Sequence, residues 1–485
     1  MRPVLLALAL TAVPAAAQAP LVSAPESRED VSLTVYSRQA GAATGGFAVV
    51  REVRPLVLRE GVQAVRFEGV PSQIDPTSLS LASLSAPGSL SVLEQNYQYN
   101  LIGTNSVLDA AVGQRVRLVR DVGDRVVSEE GVLVSQPGQG RIVRLDDGRV
   151  LVDPEGTVEL LTLPDGLLSR PSLLWRLAAE RGGPQRVEAR YLTDGLSWKA
   201  DYVAVVSEDE TGLDLTGWVT LTNESGATYP EAGLQLIAGD VRRVRDRRPQ
   251  AVYDEMAPVA VARMAAPPPP EQEAFFEYHL YTFPTPTTVR DRETKQLELL
   301  SAADVGTSRR LIVDASGRYF PFYRRPRPGA GGATNEVSAA VVLEIENAEA
   351  NNMGMPLPAG TVRVYKADRR GALQFLGEDR IEHTPRDETV RLYVGDAFDV
   401  VATRREVANR RVDDTTREIV VEVEVRNRKE TAATVDVVER VFYGDWRITQ
   451  SSHEAERLDA RTAQFTVSLG AGETETVRYT ARLGG

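Results

Sequence analysis

The chain contains no cysteine. That excludes disulfide staples and thiolate chemistry, and stability must rest on packing alone. It also excludes a lipid anchor on an N-terminal cysteine. Histidine is nearly as scarce, occurring only at His279, His383 and His453. Without cysteine and with scattered histidines, no zinc or copper set is expected. His453-Glu454-Ala455-Glu456-Arg457 opens like a zinc-protease helix, but Arg457 stands where the second histidine is needed. Lysine is restricted to Lys199, Lys295, Lys366 and Lys429. After the first residues no apolar run approaches the ~20 residues that cross a bilayer as a helix, so no transmembrane segment is expected in the mature chain. The formal net charge of −12 and the lack of a clustered basic domain argue against nucleic acid as a partner.

Motifs for common chemistries are missing as well. There is no G-x-S-x-G elbow and no Gly-Lys pair of a Walker A loop. Gly329, Gly331 and Gly332 lack a following helix pattern, and Asp146-Asp147-Gly148 is too short for an EF-hand loop. No cofactor is expected.

What is present begins with an export signal. Arg2 supplies a positive start, Val4 to Val13 an uncharged apolar run, and Ala15-Ala16-Ala17 a small-residue site. This predicts a signal peptide over residues 1–17, cleaved after Ala17, and an exported chain in the periplasm or outside the cell. The alternative is an N-terminal anchor, for which the run is short.

Period-2 alternation dominates the remainder. Val31, Leu33 and Val35 alternate with Ser32, Thr34 and Tyr36, and Val62–Phe67 and Leu79–Leu84 read the same way. The expected fold is mainly β. An N-terminal β region over 18–185 carries a small SH3-like or OB-like barrel inserted at 113–164. A C-terminal immunoglobulin-like β-sandwich covers 186–485. The insert is read from short apolar stretches at Arg115–Arg120, Gly131–Ser135, Arg141–Leu145, Val150–Val152 and Thr157–Leu163, separated by Gly-rich turns such as Asp147-Gly148. Helices are expected at 171–181, where Pro171 precedes Leu173, Leu174, Leu177 and Ala178, and at Asn105–Ala111. Three strands close on asparagine: Val219–Asn223, Leu343–Asn347 and Val423–Asn427. Asparagine suits a strand end because it tolerates the left-handed region and bonds nearby backbone. Arg242–Ala274, with its run Pro267–Pro270, is expected to be disordered, and Arg324–Thr334 to be a long loop.

Candidate site residues are few. Asp396 and Asp399 flank Ala397-Phe398 and are the weak candidates for a carboxylate pair of a glycan hydrolase; a plain turn with Phe398 buried is the other reading. Trp198 and Tyr202 share a face, as a sugar-stacking platform or as core aromatics. Trp198 and Phe398 are both expected in the core, because both lie within apolar alternation. The arginines at 242–248 could meet acidic headgroups or glycans, or form a solvated loop.

Tyr191-Leu192-Thr193-Asp194-Gly195-Leu196-Ser197-Trp198-Lys199-Ala200-Asp201-Tyr202 resembles the signature stretch of the bacterial domain-of-unknown-function 4139 family. So do Val219–Asn223 with Gly226 and Leu234–Ala238, Leu357-Pro358-Ala359-Gly360 with Val364-Tyr365, Phe375-Leu376-Gly377-Glu378, His383-Thr384-Pro385 and Gly395–Asp399. Val70-Pro71 and Leu93-Glu94-Gln95-Asn96-Tyr97 look like the family's lead-in. The resemblance covers most of the mature chain. It implies a β-rich, often exported protein with a C-terminal sandwich-like domain, and no activity, cofactor or catalytic residue. The expected function is a non-enzymatic structural or binding module of the cell envelope, with an envelope protein or polysaccharide as partner. The alternative is a periplasmic hydrolase of glycan or peptide using paired carboxylates.

Overall fold

A computed structural model describes residues 19–37, 46–122, 125–135, 140–164, 167–239, 241–243, 269–314, 316–320, 334–440 and 445–484. The expected signal peptide with Ala17, most of the Pro/Arg-rich segment and most of 324–334 lie outside them. The protein is mainly β. In chain order the first strands are β1 (Leu21–Ser23), β2 (Asp30–Tyr36), β3 (Phe47–Leu58), β4 (Gly61–Glu68), β5 (Ile74–Ser83) and β6 (Leu90–Gln98). Helix α1 (Thr104–Ala110) leads into β7 (Arg115–Val122), β8 (Arg125–Leu133), β9 (Ile142–Leu145), β10 (Val150–Val152) and β11 (Thr157–Leu160). Then come β12 (Ser172–Ala179), β13 (Gly183–Asp194), β14 (Leu196–Val206), β15 (Gly212–Asn223) and β16 (Tyr229–Ala238). They are followed by β17 (Glu271–Phe275), β18 (Tyr278–Thr282), β19 (Thr287–Val289), β20 (Glu293–Asp314) and β21 (Thr334–Glu346). The last are β22 (Gly360–Ala367), β23 (Leu373–Ile381), β24 (Thr389–Arg411), β25 (Thr416–Asn427), β26 (Ala433–Arg440), β27 (Trp446–Ser451), β28 (Glu456–Asp459), β29 (Thr462–Leu469) and β30 (Thr474–Gly484).

Four sheets result. A four-stranded sheet runs β1-β4-β12-β6, and an eight-stranded one runs β17-β18-β16-β2-β3-β13-β5 with β19 on β16. The α1-to-β11 stretch forms a separate sheet, β10-β9-β8-β7-β11, over its own small core of Ala111, Val116, Leu133, Val143 and Leu145. A thirteen-stranded sheet runs β23-β22-β14-β15-β20-β21-β24-β25-β30-β27, with β26 joining β20 to β29 and β28 edging β29.

The first core extends from Val31 to Leu392 without a break at 185. The expected boundary there is crossed by β13, which pairs with β3 and β5. The second core, from Leu311 to Ala481, lies under β21, β24, β25 and β30 on one side and β26 and β29 on the other. Three long strands serve both cores. On β20, Leu299 and Leu300 face the first and Leu311 and Val313 the second. On β21 and β24 the same division separates Leu343 from Val337, and Leu392 from Val400.

The helix expected at 171–181 is a strand. Leu173, Trp175, Leu177 and Ala179 are buried at alternate positions of β12, between β4 and β6. An apolar run this short satisfies both periods, and the two free sheet edges decide for period 2. The segment from 242 is also more ordered at its ends than expected. Arg243 pairs with Asp194 at 2.7 Å and its guanidinium lies 4.6 Å from the Phe47 ring centroid, and residues 271–274 belong to β17.

The three closing asparagines are fully buried. Asn223 donates to the carbonyls of Ala227 and Arg290, and accepts from the Ser225 amide. Asn427 donates to Thr431 and Gly470 and accepts from the Lys429 amide. Asn347 donates to Met355 and Pro385 and accepts from the Gly354 amide. None of the three has positive φ. Their use is therefore to satisfy backbone groups of the following loop and of a second segment packed beside it.

Candidate functional site

The expected aromatic platform is internal. Trp198 and Tyr202 lie on the same face of β14, both buried. Tyr202 donates its hydroxyl to the Pro358 carbonyl at 2.8 Å, and Trp198 meets Tyr281 edge-on. Burial raises the Tyr202 pKa well above its usual value. These are core aromatics, and no sugar can stack on them without opening the fold.

Phe398 takes the opposite place from the one expected. It is 93% exposed. On β24, Asp396 pairs with Ala340 of β21 and Val401 with Ser338, so residues 397–400 face a single residue, Ala339. The surplus chain bulges. Ala397 and Val400 stay buried, and Phe398 is turned outward between them. Asp396 accepts the Tyr393 hydroxyl at 2.9 Å, and Asp399 is exposed on the same bulge. Both carboxylates are therefore exposed on a strand bulge.

Two buried ionic clusters use titratable groups for structure. Glu52, on β3, accepts from Arg28 at 2.5 Å, from Arg54 at 2.9 Å and from the Tyr191 hydroxyl at 2.8 Å. Arg54 also donates to the carbonyls of Ser23 and Glu68 and covers the Phe67 ring at 3.6 Å. The cluster thus joins the four-stranded sheet to the eight-stranded one. In the second core Glu439 of β26 accepts from Arg404 of β24 at 3.0 Å and from Tyr479 of β30 at 2.9 Å.

The feature best suited to a partner lies at the end of the second core. Beginning at β28, pairing passes through β29, β26, β20, β21, β24, β25 and β30 to β27. The path curls around the core but does not close, because β27 and β28 are not paired with each other among the described residues. They are consecutive strands joined by the short loop 452–455, splayed apart. Between them runs a groove of about 350 Å³, lined by all of β27 and by Ala455, Glu456, Arg457 and Ala463. One end is closed by the 452–455 loop. At the other, Trp446 Nε1 donates to the Ala460 carbonyl at 2.7 Å, and Arg457 lies over the Trp446 ring at 4.6 Å.

Two arginines of this groove stand apart from the ion-paired ones of the neighbouring strands. On the neighbouring strands Arg405 and Arg478 pair with Glu422, Arg410 and Arg482 with Glu418, and Arg426 with Glu336 and Glu424. Arg447 and Arg457 have no carboxylate partner among the described residues; Arg457 donates only to the carbonyls of Asp459 and Ala460. An open strand edge flanked by two unneutralised guanidiniums suits an extended, acidic chain. A bulge between Ile448 and Gln450 interrupts β27 and limits indiscriminate edge pairing.

Sequence reasoning noticed Arg457 only as the missing histidine of a zinc motif. A groove defined by two strands that fail to pair has no local sequence signal. Among the described residues no group of three or more His, Asp or Glu could hold a metal, and no helix is long and apolar enough to cross a membrane. Neither a protein-family model nor a curated protein matches the chain.

Proposed function

We propose that the protein is an exported, non-enzymatic binding module of the cell envelope, with the β27–β28 groove as its contact site. The partner would be an envelope protein offering an extended acidic segment. The observation that carries this reading is the open edge of β27 with Arg447 and Arg457 beside it. Backbone groups at a free edge bond an added strand irrespective of its sequence, and the guanidiniums select for carboxylates. Export rests on Arg2, Val4–Val13 and the site after Ala17. The resemblance to the domain-of-unknown-function 4139 family agrees with an exported β protein. Trp446 is buried beneath Arg457 and offers no open ring, which favours a protein over a polysaccharide.

The test is capture from an envelope extract by the wild-type chain and by Arg447→Glu/Arg457→Glu, with the purified polysaccharide fraction as a second arm. A partner held by the wild type and released by the variant, at unchanged melting temperature, supports the groove. Equal capture by both chains removes it, and binding of polysaccharide alone replaces the protein partner.

A further inference from the structure

The hairpin of β17 and β18 projects the most exposed aromatic tip after Phe398. Phe276 is 87% exposed and Phe275 51%. Phe276 also has φ of 58°, in the left-handed region, where a side chain of this size is rarely found. The turn is thus built against local preference and presents an aromatic to water, a combination that folding alone does not reward. β17 is the terminal strand of the eight-stranded sheet, and its outer edge is unpaired among the described residues. Glu271, Glu273 and Phe275 alternate on one face of it and are all exposed. Glu277 adds a further carboxylate in the turn.

We propose that the occupant of the β27–β28 groove is the β17–β18 hairpin of a second copy of this chain. The inference rests on the reading of that groove as a docking site. Complementarity supports it in three respects. The strand is of matching length: β17 has five residues, and the strands flanking the groove have six and four. Both partners offer a free edge, so an added strand would bond to β27 and fill the gap beside β28. The charges are opposite, with Glu271, Glu273 and Glu277 on the hairpin and Arg447 and Arg457 on the groove; Glu456 is the one carboxylate on the groove wall. Phe275 and Phe276 would leave water against Ile448, and each ring removes about 150–250 Å² from solvent when fully covered. Each copy carries one hairpin and one groove on different surfaces, so the contact is head-to-tail and repeats.

Sedimentation velocity of the full chain over a concentration series tests this. The expected result is a weight-average sedimentation coefficient that rises with concentration. It should return to the monomer value in Phe276→Ser, in Glu271→Arg/Glu273→Arg and in Arg447→Glu/Arg457→Glu. Mixing the two charge-reversed variants should restore association. All changed residues are exposed, and circular dichroism with thermal melting confirms that each variant folds. A wild type that stays monomeric at every concentration overturns the inference. So does association untouched by the hairpin variants. If in either case Arg447→Glu/Arg457→Glu still loses its envelope partner, the groove stands as a site and only the second copy is removed as its occupant.

Discussion

The Tyr191 hydroxyl donates to Glu52 Oε1 at 2.8 Å, inside a cluster where Glu52 is flanked by Arg28 and Arg54. The same three kinds of group recur in the second core as Tyr479, Glu439 and Arg404. In the second cluster the groups come from strands on opposite sides of the core; in the first, Glu52, Arg54 and Tyr191 share one sheet, and Arg54 reaches the facing sheet through the carbonyls of Ser23 and Glu68. A buried carboxylate without partners would be very costly, and here every oxygen is met by a guanidinium or a phenol. Such clusters orient the two layers with a specificity that apolar packing lacks.

Glu52→Gln should be strongly destabilising. The amide leaves Arg28 and Arg54 buried without a countercharge, and breaking a buried pair from one side costs about 3–5 kcal/mol. Urea unfolding of the variant and the wild type measures this directly. Burial raises the Glu52 pKa, but the Arg54 and Arg28 charges outweigh it and hold the group below its usual range. Its contribution is therefore present above about pH 4.3, the unfolded value, and is lost as pH falls through the lower folded value. Glu52→Gln should lack that acid-dependent component.

The alkaline limit should be set by buried tyrosines. Burial raises the pKa of Tyr191, Tyr202, Tyr229, Tyr281 and Tyr479 above the usual phenol range. A raised folded pKa gives stability that is complete below the unfolded value, about 10, and declines as pH rises beyond it. Tyrosinate absorbance should appear together with loss of β structure by circular dichroism. Smooth ionisation of all tyrosines without unfolding would contradict the assignment.

Trp198 and Phe398 should respond differently to truncation. Trp198→Ala removes a buried indole and should cost about 3–5 kcal/mol, with a lower melting temperature and soluble yield. Phe398→Ala should leave the melting temperature within a degree or so, since surface changes away from special features fall within about 0.5 kcal/mol. Equal losses in thermal unfolding would place Phe398 under cover that the bulge geometry does not supply.

Asn427→Ala should destabilise through the loop it serves. The carbonyls of Thr431 and Gly470 and the amide of Lys429 would each lose a partner. An unsatisfied buried group costs about 1–3 kcal/mol, and for these partly buried groups the lower end of that range is expected. Hydrogen exchange should report the change first in residues 427–431 and 470–473, and an Asn427→Asp variant should not rescue, because a carboxylate cannot donate to the two carbonyls.

Much of the strand pattern was legible because half-buried strands repeat with period 2. Val31, Leu33 and Val35 are buried in β2 as their alternation predicts, and Asn105–Ala111 falls on α1. The strand-closing asparagines were visible as a recurring local theme. The failures have a common origin in tertiary pairing. Leu173 to Ala178 fit a helix face until two strands claim the segment. Phe398 follows the apolar rhythm until the register with β21 slips and reverses its direction. The groove is less legible still, since Arg447 and Arg457 gain meaning only from strands that do not meet.

The strands β20, β21 and β24 pass from one core into the next without a linker. A hinge needs a few residues whose dihedral angles can change, and here the crossing strands stay hydrogen-bonded to one another on both sides of the β24 bulge. Mechanically the two sandwiches form a single girder. If copies join hairpin to groove, each junction repeats at the same angle, and the assembly's curvature is already written into one chain: a ring where the angle closes, a helical fibre of fixed pitch where it does not.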